Sequence, residues 1–350
     1  MTGRNQSLDL LRGVAILLVV LVHCQEESIG VVPGLSWFAK SYGGLGVQLF
    51  FIVSGYTMML TFGDKVDLAA ARSFYLRRFF RIAPLFWVAI VFYLLVTAGR
   101  GITNFAPGGV GINDVLLTFF FMHWTSVTAY NSVVPGGWSI AVEMQFYLLF
   151  PLLIYLFRRQ GGATLCYALI ALASIVGQSI VEPYLIPKLA ASLPASQGFL
   201  AEGVFTSWLP HQVICFGFGI LLYDYIELKN RPALGALFLL VAALMCPPLG
   251  LEVVLLAVIA LAVLMSNVSL SWMTLLGRHS YAIYLVHFAV VSFIAALVPM
   301  GLVPLFLLVC ATSLAFSYYL IEPRIERHFN RLGHALASAG GAPKAVLTTP

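Results

Sequence analysis

The apolar run LDLLRGVAILLVVLVHC, residues 8–24, decides the fold class, because it has the length of a lipid-spanning helix yet carries Asp9, Arg12 and His23. An α-helix turns 100° per residue, so the eleven steps from Arg12 to His23 bring both to one face, roughly 16 Å apart. That is about half the hydrocarbon thickness of a bilayer. A helix that only anchors a chain has no use for ionisable groups in lipid, where they are costly and face cavities or partners.

The rest of the chain has the same character. Of 350 residues, 61% are apolar and only 9% are charged, against roughly a quarter charged in soluble domains. Its 30 glycines and 17 prolines are spread through the apolar runs as well as the loops, which membrane helices tolerate better than soluble ones. The composition excludes an ordinary soluble enzyme and predicts an all-α polytopic integral membrane protein. Residues 8–22 lead into Cys24-Gln25-Glu26-Glu27 with no small-residue cleavage site, so the first helix is expected to stay. The five cysteines have no paired spacing and sit in or beside apolar runs. They read as packing thiols, with no disulfide framework and no metal site expected.

Ten membrane helices are predicted, at 8–25, 45–62, 81–99, 138–157, 163–181, 209–226, 233–248, 251–267, 279–298 and 302–320. Each is near the length needed to cross. The seventh and eighth are the shortest and share a Pro-Pro-Leu-Gly turn. The apolar stretch 115–124 is too short to cross and is expected to lie in the interface or re-enter. Residues 1–333 read as one membrane-embedded domain without internal repeats, and the Ala/Gly-rich stretch 334–350 as a disordered tail. An N-terminus in the cytoplasm puts 16 of the 19 Lys and Arg inside, leaving Lys40, Arg100 and Lys188 outside. Lipid is thus the first partner, with both termini cytoplasmic and a bacterial plasma (inner) membrane as the expected location. The net charge of +5 follows from this bias, so no nucleic-acid partner is expected.

Five stretches carry chemistry. In the first helix, Arg12 either snorkels to the inner interface beside Asp9 or lines a cavity. His23 falls in the outer part of the membrane, where an imidazole serves as a general base or as a structural hydrogen-bonder. In FYLRRFFRIAP, residues 74–84, Arg77, Arg78 and Arg81 share one broad helical face among aromatics. Positive-inside flanking accounts for one or two of them; all three also suit a phosphate-rich, ring-bearing ligand. In PGGWSIAVEMQFYLLFPLL, residues 135–153, Trp138 starts a helix that carries Ser139, Glu143 and Tyr147 on one face. A carboxyl there is expensive unless paired. Counted from its helix end, Glu143 is expected at the depth of His23, as a base and its orienting carboxylate would be. In LGRHSYAIYLVHFAV, residues 276–290, His287 extends a stripe with Tyr284 and Ser280, as a ligand contact or a helix–helix hydrogen bond. In FFIVSGY, residues 50–56, Ser54 and Gly55 precede Tyr56, and close helix approach is the preferred reading of the Ser-Gly pair.

Taken in order, LDLLRGVAILLVVLVH, FFIVSGY, YLRRFFRIAPLFW, GGWSIAVEMQFYLLFP and SYAIYLVHF resemble the membrane acyltransferase 3 family, over nearly the whole chain. The resemblance implies a ten-helix enzyme that takes an acyl group, usually acetyl, from cytoplasmic acyl-CoA to a hydroxyl of a glycan or other acceptor. It lays the family's Arg–His pair on Arg12 and His23, its two-arginine motif on Arg78 and Arg81 beside Arg77, and its Trp-Ser glutamate on Glu143. No permanently bound cofactor is implied; acetyl-CoA or another acyl-CoA is the donor substrate. The chain resembles members without a C-terminal hydrolase-like domain, so glycan-assembly proteins are expected partners for any later step.

The expected mechanism has His23 deprotonating the acceptor hydroxyl, Glu143 orienting His23, and Arg12, Arg77, Arg78 and Arg81 binding acyl-CoA. Ser54, Tyr56, Trp138, Ser139, Tyr147, Tyr284 and His287 are expected to line the substrate cavity. An acyl-histidine intermediate uses the same residues. The rival class is a transporter or flippase for a glycan or small solute, which also keeps ionisable groups at mid-membrane. Neither the acceptor nor the oligomeric state is legible in the sequence.

Overall fold

The computed structural model describes residues 2–62, 66–101, 105–246, 249–266 and 268–339, and among these no strand forms. The apolar runs become α1 (Thr2–Glu27), α2 (Gly46–Phe62), α3 (Leu68–Val96), α4 (Gly137–Phe157) and α5 (Gly162–Ile175). They continue as α6 (Leu209–Ile226), α7 (Ala233–Met245), α8 (Leu249–Ser266), α9 (Ser280–Leu297) and α10 (Leu302–Phe316). All ten expected helices are present. Nine helical stretches among the described residues have the length and apolarity to cross a membrane. The exception is α7, whose 13 residues fall short of the roughly 20 a crossing needs.

The largest boundary differences from expectation lie at the start of α3 and beyond α10. α3 begins at Leu68, well before position 81, because the Asp67 side chain caps it by accepting from the Ala70 N–H at 2.7 Å. The three arginines therefore sit two to four turns into a helix instead of at its start. A π-helical stretch, Ser317–Glu326, carries α10 into α11 (Arg327–Ser338), so residues 334–338, expected in a disordered tail, are helical. Residues 340–350, with Lys344, lie outside the described residues, as do Lys65, Pro247, Pro248 and Asn267.

α1 runs through the middle of the bundle, against α2, α9, α10 and the short helix Ser271–Arg278. α2 and α6 make the most extensive helix pair, and Gly55 is why they come so close. A Cβ there would lie 2.5 Å from the Phe216 carbonyl oxygen. Gly55 thus carries the close approach that the sequence left to the Ser-Gly pair, and Ser54 is free to point elsewhere. α11 folds back along α3, with Gly333 against Phe80 and Leu76.

The stretch expected to lie in the interface or re-enter is a short helix, Ile112–Phe119, and a 3₁₀ turn, His123–Thr125. Trp87 of α3 pins it by stacking on Phe119 and donating to the Phe119 carbonyl at 2.9 Å. The irregular chain that follows is buried from 129 to 137, which is where non-helical backbone survives in a membrane protein. Burial pushes the His123 imidazole down to about 4, so at neutral pH it is uncharged and donates through Nε2 to the Gly137 carbonyl at 3.0 Å. That contact fixes the first turn of α4.

Candidate active site

Five helices enclose a cavity of about 90 Å³ in the bundle. α1 contributes Arg12, α2 contributes Ser54 and Thr57, α3 contributes Arg78 and Arg81, and α4 contributes Ser139, Glu143 and Tyr147. Tyr281 and Tyr284 of α9 and Val47, Phe50, Phe51 and Ile140 complete the wall. Glu143 is its only carboxylate among the described lining residues. One Glu143 oxygen accepts hydrogen bonds from the Ser54 hydroxyl, at 2.6 Å, and from the Tyr147 hydroxyl. Arg12 donates to Asp9 at 2.9 Å and to the Thr57 hydroxyl at 3.1 Å. Both readings of Arg12 therefore hold: it pairs with Asp9 and it faces the cavity. Arg78 is 8% exposed, donates to the Thr61 hydroxyl at 3.0 Å and lies over the Tyr147 ring at 5.3 Å.

Thr57, Arg78, Arg81 and Tyr281 also line a larger basin of about 830 Å³ at the end of the bundle where α1 begins. They form the neck between the two spaces. The basin adds Arg77, Arg278, Arg327 and Arg331, together with His334, Glu322 and Glu326. Arg278 approaches Asp9 at 3.5 Å and Arg327 pairs with Glu322 at 3.0 Å. Arg81 and Arg331 have no hydrogen bond or ion pair among the described residues. A polyanion is the ligand such a basin favours, since guanidinium binds phosphate bidentately and costs less to desolvate than ammonium.

The far end of the cavity is closed by a hydrogen-bonded knot. The Tyr284 hydroxyl donates to the Gly136 carbonyl at 2.9 Å and accepts from Ser139 at 2.8 Å. Gly136 has φ 79°, and a Cβ on it would lie 2.9 Å from the Tyr284 hydroxyl, so only glycine fits there. Behind Tyr284 stand two imidazoles. His287 is fully buried, its ring 5.6 Å from that of Tyr284 and 5.4 Å from that of His23. Phe288 packs on both, 4.1 Å from His23 and 4.4 Å from His287. His287 Nδ1 donates to the Tyr284 carbonyl at 2.6 Å, and His23 Nδ1 to the Glu26 carboxylate at 2.8 Å. Those oxygens only accept, so in the neutral rings both Nδ1 atoms carry the proton and both Nε2 atoms are bare lone pairs. This explains why His287 Nε2, though buried, has no partner: neither ring has a proton to offer the other.

Of the residues the sequence singled out, the structure brings Arg12, Ser54, Arg78, Arg81, Ser139, Glu143, Tyr147 and Tyr284 to one cavity. Arg77 faces the basin alone. His23 and His287 stand outside the cavity wall. Tyr56 is turned away from it and donates to Glu227 at 2.5 Å, and Trp138 packs edge-on against Phe51 at 6.3 Å. The expected depth match of His23 and Glu143 is not what forms. Gly43 packs on Val22, beside His23, whereas Ser54 holds Glu143; eleven residues of mostly helical chain separate those levels, about 16 Å. The carboxylate at His23 is Glu26 of its own helix. The sequence missed Thr57, Tyr281, Arg278, Arg327 and Arg331. The last two had a signal, since Arg327, Arg331 and His334 recur at i, i+4 and i+7.

A family model described as an acyltransferase domain matches residues 5–322. Nodulation protein 10 of Rhizobium leguminosarum bv. viciae is 29% identical over 191 residues, 50% of this chain and 51% of that protein. A Staphylococcus aureus (strain COL) protein provisionally named an O-acetyltransferase is 24% identical over 373 residues, 93% of this chain and 57% of that protein. Acyltransferase MdmB of Streptomyces mycarofaciens is 26% identical over 317 residues, 83% of this chain and 80% of that protein. The chain thus spans little more than half the length of the first two. No solved structure matches it significantly.

Proposed function

The chain belongs to this acyltransferase family, and from that premise we propose that it is a membrane-bound O-acyltransferase that carries an acyl group, acetyl by preference, from cytoplasmic acyl-CoA to a hydroxyl of a glycan or exopolysaccharide precursor. The observation that carries the reading is the arginine basin that shares Thr57, Arg78, Arg81 and Tyr281 with the Glu143 cavity. Nucleotide phosphates fit the basin, and a pantetheine arm is the slender group that passes a neck of Thr57, Arg78, Arg81 and Tyr281. The charge rule puts the basin in the cytoplasm, where acyl-CoA is made.

In this scheme the thioester is delivered toward Tyr284, and the acceptor hydroxyl approaches from the opposite side, where His23 is 20% exposed and Glu26 56%. His23 Nε2 takes the hydroxyl proton as the oxygen attacks the thioester carbonyl. The C–S bond breaks, the CoA thiolate leaves and is protonated, and the ester stays on the acceptor. Glu26 stabilises the imidazolium through Nδ1, the place first given to Glu143. Glu143 instead fixes Ser54 and Tyr147 along the arm and offsets the positive charge of Arg12, Arg78 and Arg81.

Single-turnover reaction of the purified protein with radiolabelled acetyl-CoA tests the scheme. Release of CoA with label passing to the acceptor fraction supports direct transfer. Label retained on His23 overturns that route, and transfer surviving in His23→Ala removes His23 from the chemistry.

A further inference from the structure

We propose that α11 reads the 3′-phosphate of coenzyme A, with Arg331 as its main contact and Arg327 beside it. The inference rests on the acyl-CoA reading and adds which part of the nucleotide is recognised, and by which helix.

The arginines fall into two groups by position. Arg78 and Arg81 line both the cavity and the basin, so they stand at the neck, whereas Arg77, Arg278, Arg327 and Arg331 line the basin alone. Coenzyme A has a fixed order of groups: thiol, pantetheine, pyrophosphate, then the ribose that bears the 3′-phosphate. With the thiol through the neck, the pyrophosphate lies at Arg78 and Arg81. The 3′-phosphate is then carried out to the basin wall.

Of the four wall arginines, three are already engaged. Arg77 donates to the Ser73 hydroxyl, Arg278 faces Asp9 at 3.5 Å and Arg327 pairs with Glu322 at 3.0 Å. Arg331 has no hydrogen bond or ion pair among the described residues. It lies one turn from Arg327 on the same face of α11. Gly333 seats the helix tightly on α3, where a Cβ would come 2.8 Å from the Phe80 Cβ. The position of Arg331 relative to the neck is therefore set by packing.

Charge points the same way. Six arginines face Glu322 and Glu326, and burial lifts the Glu326 carboxyl to about 7, so the basin keeps at least four positive charges in excess. The pyrophosphate of CoA supplies two negative charges and a phosphate monoester about two more. Dephospho-CoA, or a phosphopantetheine arm on a carrier protein, leaves the wall arginines unmatched.

The test is equilibrium binding of CoA and of dephospho-CoA to the purified full chain in detergent, for wild type, Arg331→Ala and Arg331→Lys. Wild type should prefer CoA by about 10- to 100-fold, the value of charge-assisted hydrogen bonds to one phosphate. Arg331→Ala should lose most of that preference while its affinity for dephospho-CoA stays unchanged, which also shows that the variant is folded. Arg331→Lys should keep part of it. Equal binding of the two nucleotides by wild type overturns the assignment. So does an equal loss for both in Arg331→Ala, which would make Arg331 a general anion or lipid-headgroup contact. Binding of neither nucleotide by wild type overturns the acyl-CoA reading itself.

Discussion

The two ends of this bundle solve opposite problems with ionisable groups. At the basin end, guanidiniums from α3, α11 and the short helix Ser271–Arg278 line one space, and Arg81 and Arg331 are held by no ion pair among the described residues. At the other end, His23 and His287 are packed against Phe288, with one nitrogen of each ring tied down. The first arrangement awaits a large anion and gains little from its own contacts. The second leaves the buried Nε2 of His287 without a partner, a lone pair that a group with a proton to donate would satisfy. A hydroxyl is such a group. In the proposed scheme, binding and proton acceptance are therefore separated along α1, with Arg12 at one station and His23 at the other.

That separation can be broken by mutation. The largest effect is expected from His23→Ala, which should slow acetyl transfer by about 10²- to 10⁴-fold, the usual worth of a general base. Its affinity for CoA should stay within about twofold of wild type, because no charge-assisted contact to a phosphate is lost. A parallel loss of binding and turnover would merge the two ends into one site. Arg78→Ala with Arg81→Ala should do the reverse and weaken CoA binding by about 100-fold, read by titration calorimetry. Affinity unchanged in that double variant would move the nucleotide elsewhere.

Glu143→Gln sharpens the contrast, since it keeps the shape of the cavity and removes the charge. Turnover should fall by about tenfold, the cost of replacing charge-assisted hydrogen bonds from Ser54 and Tyr147 by neutral ones. If instead it fell as far as in His23→Ala, the carboxylate would belong to the proton transfer. The smallest effect is expected from Tyr284→Phe, which removes the hydroxyl between Gly136 and Ser139. Thermal unfolding should show a loss of about 1 kcal/mol. A gain in CoA hydrolysis by this variant would mark Tyr284 as a barrier between the donor cavity and the histidines.

Much of this was readable from residue order, for a physical reason. Lipid demands helices of fixed length with internally satisfied backbones, so apolar runs alone located all ten. The arginines on α3 and the Glu143 stripe were likewise legible, because charge in an apolar run is expensive and rarely accidental. Depth was less so. Counting from helix ends put His23 and Glu143 on one level, but α4 starts below the buried chain of 129–137 and descends beside Ser54. Side-chain direction was also hidden: Ser54 and Gly55 are adjacent, yet one faces the cavity and the other the α6 backbone. α11 was missed because its neighbourhood is rich in Ala and Gly, and composition outweighed the periodic spacing of Arg327, Arg331 and His334.

The central claim is that the donor is taken up at the basin end and spent at the histidine end. Acetyl-CoA is charged and does not cross lipid, so membrane vesicles of defined orientation separate the possibilities. Inverted vesicles, with the cytoplasmic face outward, should transfer label from external radiolabelled acetyl-CoA, while right-side-out vesicles should transfer none until made permeable. Equal labelling by both, or labelling by right-side-out vesicles alone, would contradict it.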